Sequence, residues 1–114
     1  MDGGIVDVLQ FAIDGLSQRQ DAVANNLANA NTPGYTANEV SFESSLNQAL
    51  STPDGTAQVT TTKSTNAPGT DGNNVDLSGE LVAAQQTTLQ YQTMTDLINA
   101  QFRLIQGAAG GSFQ

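Results

Sequence analysis

A mainly α-helical fold, two long amphipathic helices packed as an antiparallel coiled-coil-like hairpin, is what this 114-residue sequence predicts. Three features point to it. Apolar residues near each end of the chain recur at steps of three and four, the helical period. The segment between them is polar and rich in turn residues, so it joins two helices rather than building a core of its own. The length suits one domain, taken as residues 1–114.

The first helix is expected over residues 5–31. Val6, Leu9, Ile13, Leu16, Val23, Leu27 and Ala30 keep the period, with Gln20 in the one polar slot. Asp7, Asp14 and Asp21 fall seven apart and share one face, read either as a solvated surface or as an electrostatic contact with a neighbouring subunit. The helix is stopped on purpose. Pro33 forbids continuation, and Thr32 before it is driven out of the helical region. Pro33-Gly34 fits the centre of a type II turn, where the second position needs positive φ. Asn25, Asn26, Asn29 and Asn31 cluster at this end, interleaved with Ala24, Ala28 and Ala30. Asparagine caps helices well, but four of them exceed what capping requires. Small alanines beside them let another backbone come close enough for the amides to reach it.

Residues 32–50 form a turn and connector, extended or briefly helical, carrying Tyr35, Val40 and Phe42. Residues 51–74 read as a flexible polar loop, with Pro53, Pro68 and two Asp-Gly pairs; "AQVTTTK" within it could form one arm of a short β-hairpin. The second helix is expected over residues 76–108, with Asp76 as its N-cap. One stripe runs Leu77, Leu81, Ala84, Tyr91, Ile98, Phe102 and Ile105; an adjoining one holds Val82, Leu89, Met94, Leu97 and Leu104. A two-helix hairpin covers only part of so wide an arc, which leaves apolar surface for another chain. The helix-packing residues taken from both helices are Leu9, Ile13, Leu16, Val23, Leu27, Leu81, Leu89, Tyr91, Leu97, Ile98, Phe102 and Ile105.

Composition removes several function classes. The net charge is −8, and Arg19, Lys63 and Arg103 are the only basic residues, too few and too scattered to neutralise phosphates. Nucleic acid and anionic membrane are therefore not expected partners. Without cysteine or histidine there is no thiolate metal site, no cysteine nucleophile and no histidine base. The run from Asp71 to Asp76 fails as a calcium loop, because its fifth and twelfth positions are Val75 and Val82. No catalytic residue, cofactor site or metal site is assigned, and no enzyme is expected. "MDGGIVDVLQ" lacks a secretory signal, and no apolar run approaches the roughly 18 residues of a membrane span.

"ANNLANANTPGY", Ala24 to Tyr35, closely resembles the signature of the flagellar axial proteins of rod, hook and hook-associated type. The stretch matches a pattern of small residue, Asn-Asn, apolar residue, Ala-Asn and Thr-Pro-Gly-Tyr without a break. "DGNNVDLSGEL" and "LQYQTMTDLINAQFRLI" look like the carboxy-terminal region of a basal-body rod protein of the proximal type. Gly79, in the first turn of the second helix, departs from the family and weakens that helix's start. The resemblance implies an assembly motif at Ala24, Asn25, Asn26, Leu27, Ala28, Asn29, Asn31, Thr32, Pro33, Gly34 and Tyr35. It implies a torque-transmitting structural subunit of the periplasm-spanning rod, exported by the flagellar type III system without a cleaved signal peptide. The partners implied are other rod subunits in a helical self-assembly, a FliE-type adaptor and the basal-body rings. Two other readings are a soluble helical adaptor or chaperone-like module of the export system and, far behind, a small carboxylate hydrolase.

Overall fold

The computed structural model describes residues 4–51 and 57–109. It contains α1 (Gly4–Ala28), β1 (Asn38–Val40), α2 (Phe42–Ser51), β2 (Thr61–Lys63) and α3 (Leu77–Ala109). α1 and α3 run side by side as the predicted hairpin, and the body is 64 Å long but only 14 Å thin. Two helices side by side make a single layer, which cannot enclose a core by itself.

The core forms where a second layer is added. Ala12, Leu16 and Ala22 of α1 pack with Val40 and Phe42, and Leu46, Val59 and Met94 close around them. Gly15 makes the junction possible, since a Cβ there would stand 2.8 Å from Phe42 Cδ1 and 3.1 Å from Val59 Cγ2. Arg19 fastens the same junction from outside. Its Nη1 donates to Glu43 Oε2 at 2.9 Å, Nη2 also donates to Oε1, and the guanidinium lies 5.4 Å from the Phe42 ring centre. Those bonds hold the Glu43 carboxyl below its usual range, against a smaller opposing effect of burial.

Both forms left open for the connector occur: Asn38–Val40 is extended, and "FESSLNQALS" is the helix α2, which buries Phe42, Ser45 and Ala49 at helical spacing. Two expectations change. The first helix ends at Ala28 rather than 31, because Ala30 and Thr32 donate to the carbonyls three residues back, Leu27 and Asn29, tightening the last turn. The possible hairpin inside the polar loop is instead a long-range pairing. β2 joins β1 antiparallel, with Asn38 opposite Lys63, Glu39 opposite Thr62 and Val40 opposite Thr61. Ser41 and Ser64 extend the ladder by donating to Thr60 and Ala37. Of the expected loop 51–74, residues 52–56 lie outside the described part, and residues 57–74 are tied back onto the hairpin by these and other hydrogen bonds.

Candidate assembly site

The two motifs that stood out in the sequence, at residues 24–35 and 71–76, dock against each other. Pro33-Gly34 makes the expected type II turn, with Gly34 at φ +77° and the Tyr35 amide donating to the Thr32 carbonyl at 3.2 Å. Facing it is a second turn in which Gly72 has φ +83° and donates to the Gly69 carbonyl at 3.0 Å. The two glycines meet: a Cβ on Gly72 would lie 3.3 Å from Gly34 Cα, and the Gly34 amide donates to the Asp71 carbonyl at 2.8 Å. Both need positive φ, and Gly72 also needs the missing side chain.

Asparagines complete the contact. Asn73 Nδ2 donates to the Asn29 carbonyl at 2.9 Å and the Thr32 carbonyl at 2.8 Å, so it satisfies the helix end that Pro33 leaves open. Asn74 Oδ1 accepts from the Ala37 amide at 2.7 Å, and its Nδ2 donates to Ser64 and Asn66. Asn26, 1% exposed, is the centre of the arrangement. Its Nδ2 donates to the Asn38 carbonyl at 2.9 Å and to Glu80 Oε1 at 3.1 Å. Its Oδ1 accepts from the Asn38 amide at 2.9 Å and the Tyr35 hydroxyl at 3.3 Å. One side chain thus binds both backbone groups of Asn38, as a paired strand would, and joins α1 to β1 and α3. Asn29 is half-buried and turns back onto the Asn25 carbonyl. Asp76 caps α3, its Oδ1 accepting from the Gly79 amide at 3.2 Å.

The rest of the motif faces outward. Ala24, Asn25, Ala28, Asn31, Thr32, Pro33 and Gly34 are exposed, whereas Leu27 and Tyr35 are half-buried. Sequence reasoning missed the partners Asn38, Asn73, Asn74 and Glu80 as contacts of the motif. The only signal was a second asparagine pair ahead of a helix cap.

The helix-packing residues divide. Leu9, Leu16, Val23 and Ile98 are buried, and Ile13 and Leu27 half-buried. Leu81, Leu89, Tyr91, Leu97, Phe102 and Ile105 are corrected as packing residues within the chain: each is exposed, from 40% at Tyr91 to 65% at Leu89. α1 covers a more polar stripe of α3, in which Thr87 and Gln90 stand with Ala84 and Ile98 of the first predicted stripe and Met94 of the second. Thr87 is 1% exposed, and its hydroxyl, like the buried side-chain oxygens of Gln20 and Gln90, has no hydrogen-bond partner among the described residues. Val82, Leu89, Leu97 and Leu104 fall in one arc about a third of a turn round the helix from Thr87. α3 therefore turns a mixed stripe inward, with Thr87 and Gln90 beside Met94 and Ile98, and leaves an arc of large aliphatic side chains outward.

Among the described residues no three acidic groups gather as a metal site, and no helix is long and apolar enough to cross a membrane. The profile of the family described as "Flagella basal body rod protein" matches residues 9–36, which spans the assembly motif. The flagellar basal body rod protein FlgB of Aeromonas hydrophila is 30% identical over 108 residues, 80% of this chain and 81% of that protein. FlgB of Escherichia coli (strain K12) is 29% identical over 116 residues, 82% and 84% of the two chains. FlgB of Bacillus subtilis (strain 168) is 26% identical over 123 residues, 95% of each. With 30% identity to one of these proteins over four-fifths of both chains, and the rod-protein profile on its amino-terminal helix and turn, the chain belongs to the FlgB family of flagellar basal-body rod proteins.

Proposed function

We infer that this chain is a structural subunit of the bacterial flagellar basal-body rod, and that it contributes packing surface to the assembly rather than chemistry. The observation that supports this most directly is the outward arc of α3, where Val82, Leu89, Leu97 and Leu104 are all exposed. Burying each exposed leucine is worth about 1.5–3 kcal/mol, so the helix gains from a second helical neighbour that the single chain does not supply. A non-closing, head-to-tail contact between such surfaces builds a tube, and a tube of tightly packed helices transmits torque. A place at the proximal end of the rod, contacts with a FliE-type adaptor and the rings, and type III export without a cleaved signal belong to the same reading. They rest on the family resemblance. The family does not favour the adaptor alternative.

Leu89→Asp and Leu97→Asp test the reading in a strain lacking its own subunit. Each places an unpaired charge in the proposed contact, where desolvation costs several kcal/mol. Both side chains are exposed in the single chain, so helicity and export should be unchanged while completed basal bodies are lost. Normal motility in both variants would overturn the proposal.

A further inference from the structure

We propose that Asp71-Gly72 is a site of spontaneous aspartate isomerisation, suppressed while the two turns are docked and disabling to the docking once it has occurred. Asp-Gly is the sequence most open to this reaction, because glycine places no side chain in the path of attack. In this fold the glycine cannot be exchanged for a protecting residue: Gly72 has φ +83° and lies against Gly34 Cα. The docking thus requires the residue that makes Asp71 vulnerable.

The chemistry is self-contained. The Gly72 amide nitrogen attacks Asp71 Cγ, a bond forms between them, and the amide proton leaves with a carboxyl oxygen as water. The resulting succinimide then takes water back. Cleavage between the nitrogen and the former main-chain carbonyl carbon leaves the chain running through the side chain, with the α-carboxylate free and no net change of mass. In the docked state both reactants are held. The Gly72 N–H donates to the Gly69 carbonyl at 3.0 Å, and Asp71 Oδ1 accepts from the Asn73 amide at 3.0 Å. Both bonds lie within the turn itself, and docking holds the turn in that shape through the Gly34 N–H on the Asp71 carbonyl and Asn73 Nδ2 on the Asn29 and Thr32 carbonyls, so undocking loosens them. After isomerisation the carbonyl that accepts the Gly34 N–H at 2.8 Å has become a charged carboxylate, and one extra methylene separates Gly72 from its seat. A subunit held undocked for long would therefore lose its ability to dock.

The inference rests on the docking of the two turns and not on the rod reading; only the basal-body arm of its test assumes that reading. The test compares the full chain in native buffer, in denaturant, as Asn73→Ala and within purified basal bodies. Isoaspartate at position 71 is quantified by electron-transfer fragmentation after incubation at neutral pH. Asp54-Gly55 serves as a second Asp-Gly pair in the denatured sample. Isoaspartate at 71 should accumulate in denaturant, roughly tenfold more slowly in the docked chain, and faster again in Asn73→Ala, which loses the bonds to Asn29 and Thr32. In basal bodies it should be slowest of all. Equal rates in denaturant and in native buffer would overturn the protection. Absence of isoaspartate at 71 in denaturant, where Asp54 shows it, would overturn the site.

Discussion

Replacing Asn26 should cost more than replacing any other asparagine of its motif. Asn26→Ala removes four hydrogen bonds at once and leaves the Asn38 amide and carbonyl without the partner that binds both. A net bond is worth about 0.5–1.5 kcal/mol, and an abandoned buried group costs about 1–3 kcal/mol. Tyr35, Asn38 and Glu80 are all half-buried, so water replaces part of what each loses. The net effect comes to about 2–4 kcal/mol, large against the roughly 5–15 kcal/mol of a typical domain. Asn25→Ala is the control. Its side chain is exposed one residue away, and alanine there improves helix propensity by up to about 0.7 kcal/mol. Urea unfolding of the full chain, followed by circular dichroism, should show Asn26→Ala shifted to a lower midpoint at an unchanged slope and Asn25→Ala unshifted or slightly stabilised. Amide exchange should localise the loss to residues 35–40 and the start of α3. If the two variants differ by less than about 0.5 kcal/mol, the assignment of Asn26 as the centre of the docked turns is wrong.

At the type II turn, Gly34→Val should cost about 1–3 kcal/mol through positive φ, and Gly34→Ala should be milder because nothing crowds the added Cβ; far-ultraviolet dichroism should show α1 intact in both, with fewer basal bodies in the order alanine, then valine. Gly15→Ala gains up to about 1 kcal/mol of helix propensity but drives a methyl into Phe42, for an overpacking cost of about 1–3 kcal/mol; a net loss measured by urea unfolding, relieved when combined with Phe42→Leu, is expected. Glu43 has a lowered pKa when folded, so its ion pair contributes stability above the unfolded carboxyl pKa and loses it as pH falls through the folded one; Glu43 is largely exposed, which limits the effect to under about 1 kcal/mol, and Glu43→Gln should flatten the acid limb of the stability profile by that amount.

Both long helices were legible because their apolar residues keep a period of three and four over many turns. Which stripe of α3 meets α1 was not. Two apolar stripes compete on that helix, and the contact takes Ala84 and Ile98 from one and Met94 from the other with Thr87 and Gln90 between them, fixed by the positions of Asn26, Glu80 and the α2 layer. α2 was obscured by its shortness and by serines and asparagine that favour turns, although Phe42, Leu46 and Ala49 already stood at helical spacing. Strand pairing over 20 residues or more leaves no periodic trace when only Val40 of the six paired residues is buried. The motif itself announced its position and its turn, but hydrogen bonds between distant polar residues have no sequence period. Only the excess of asparagine over capping need pointed beyond the helix end.

The meeting of Gly34 with Asp71 and Gly72 also pinches the chain at the base of its long excursion. Once that neck is shut, the segment between has ends fixed by the hairpin and not by its own length. Loop closure then scales only with the logarithm of chain length, so doubling the excursion costs about 0.6 kcal/mol. Residues added between Ser51 and Ala57 would enlarge an appendage on the flank of the hairpin without changing the register of α1 against α3. A fold closed in this way can acquire a larger outer part while its paired helices, and whatever surface they offer, stay as they are.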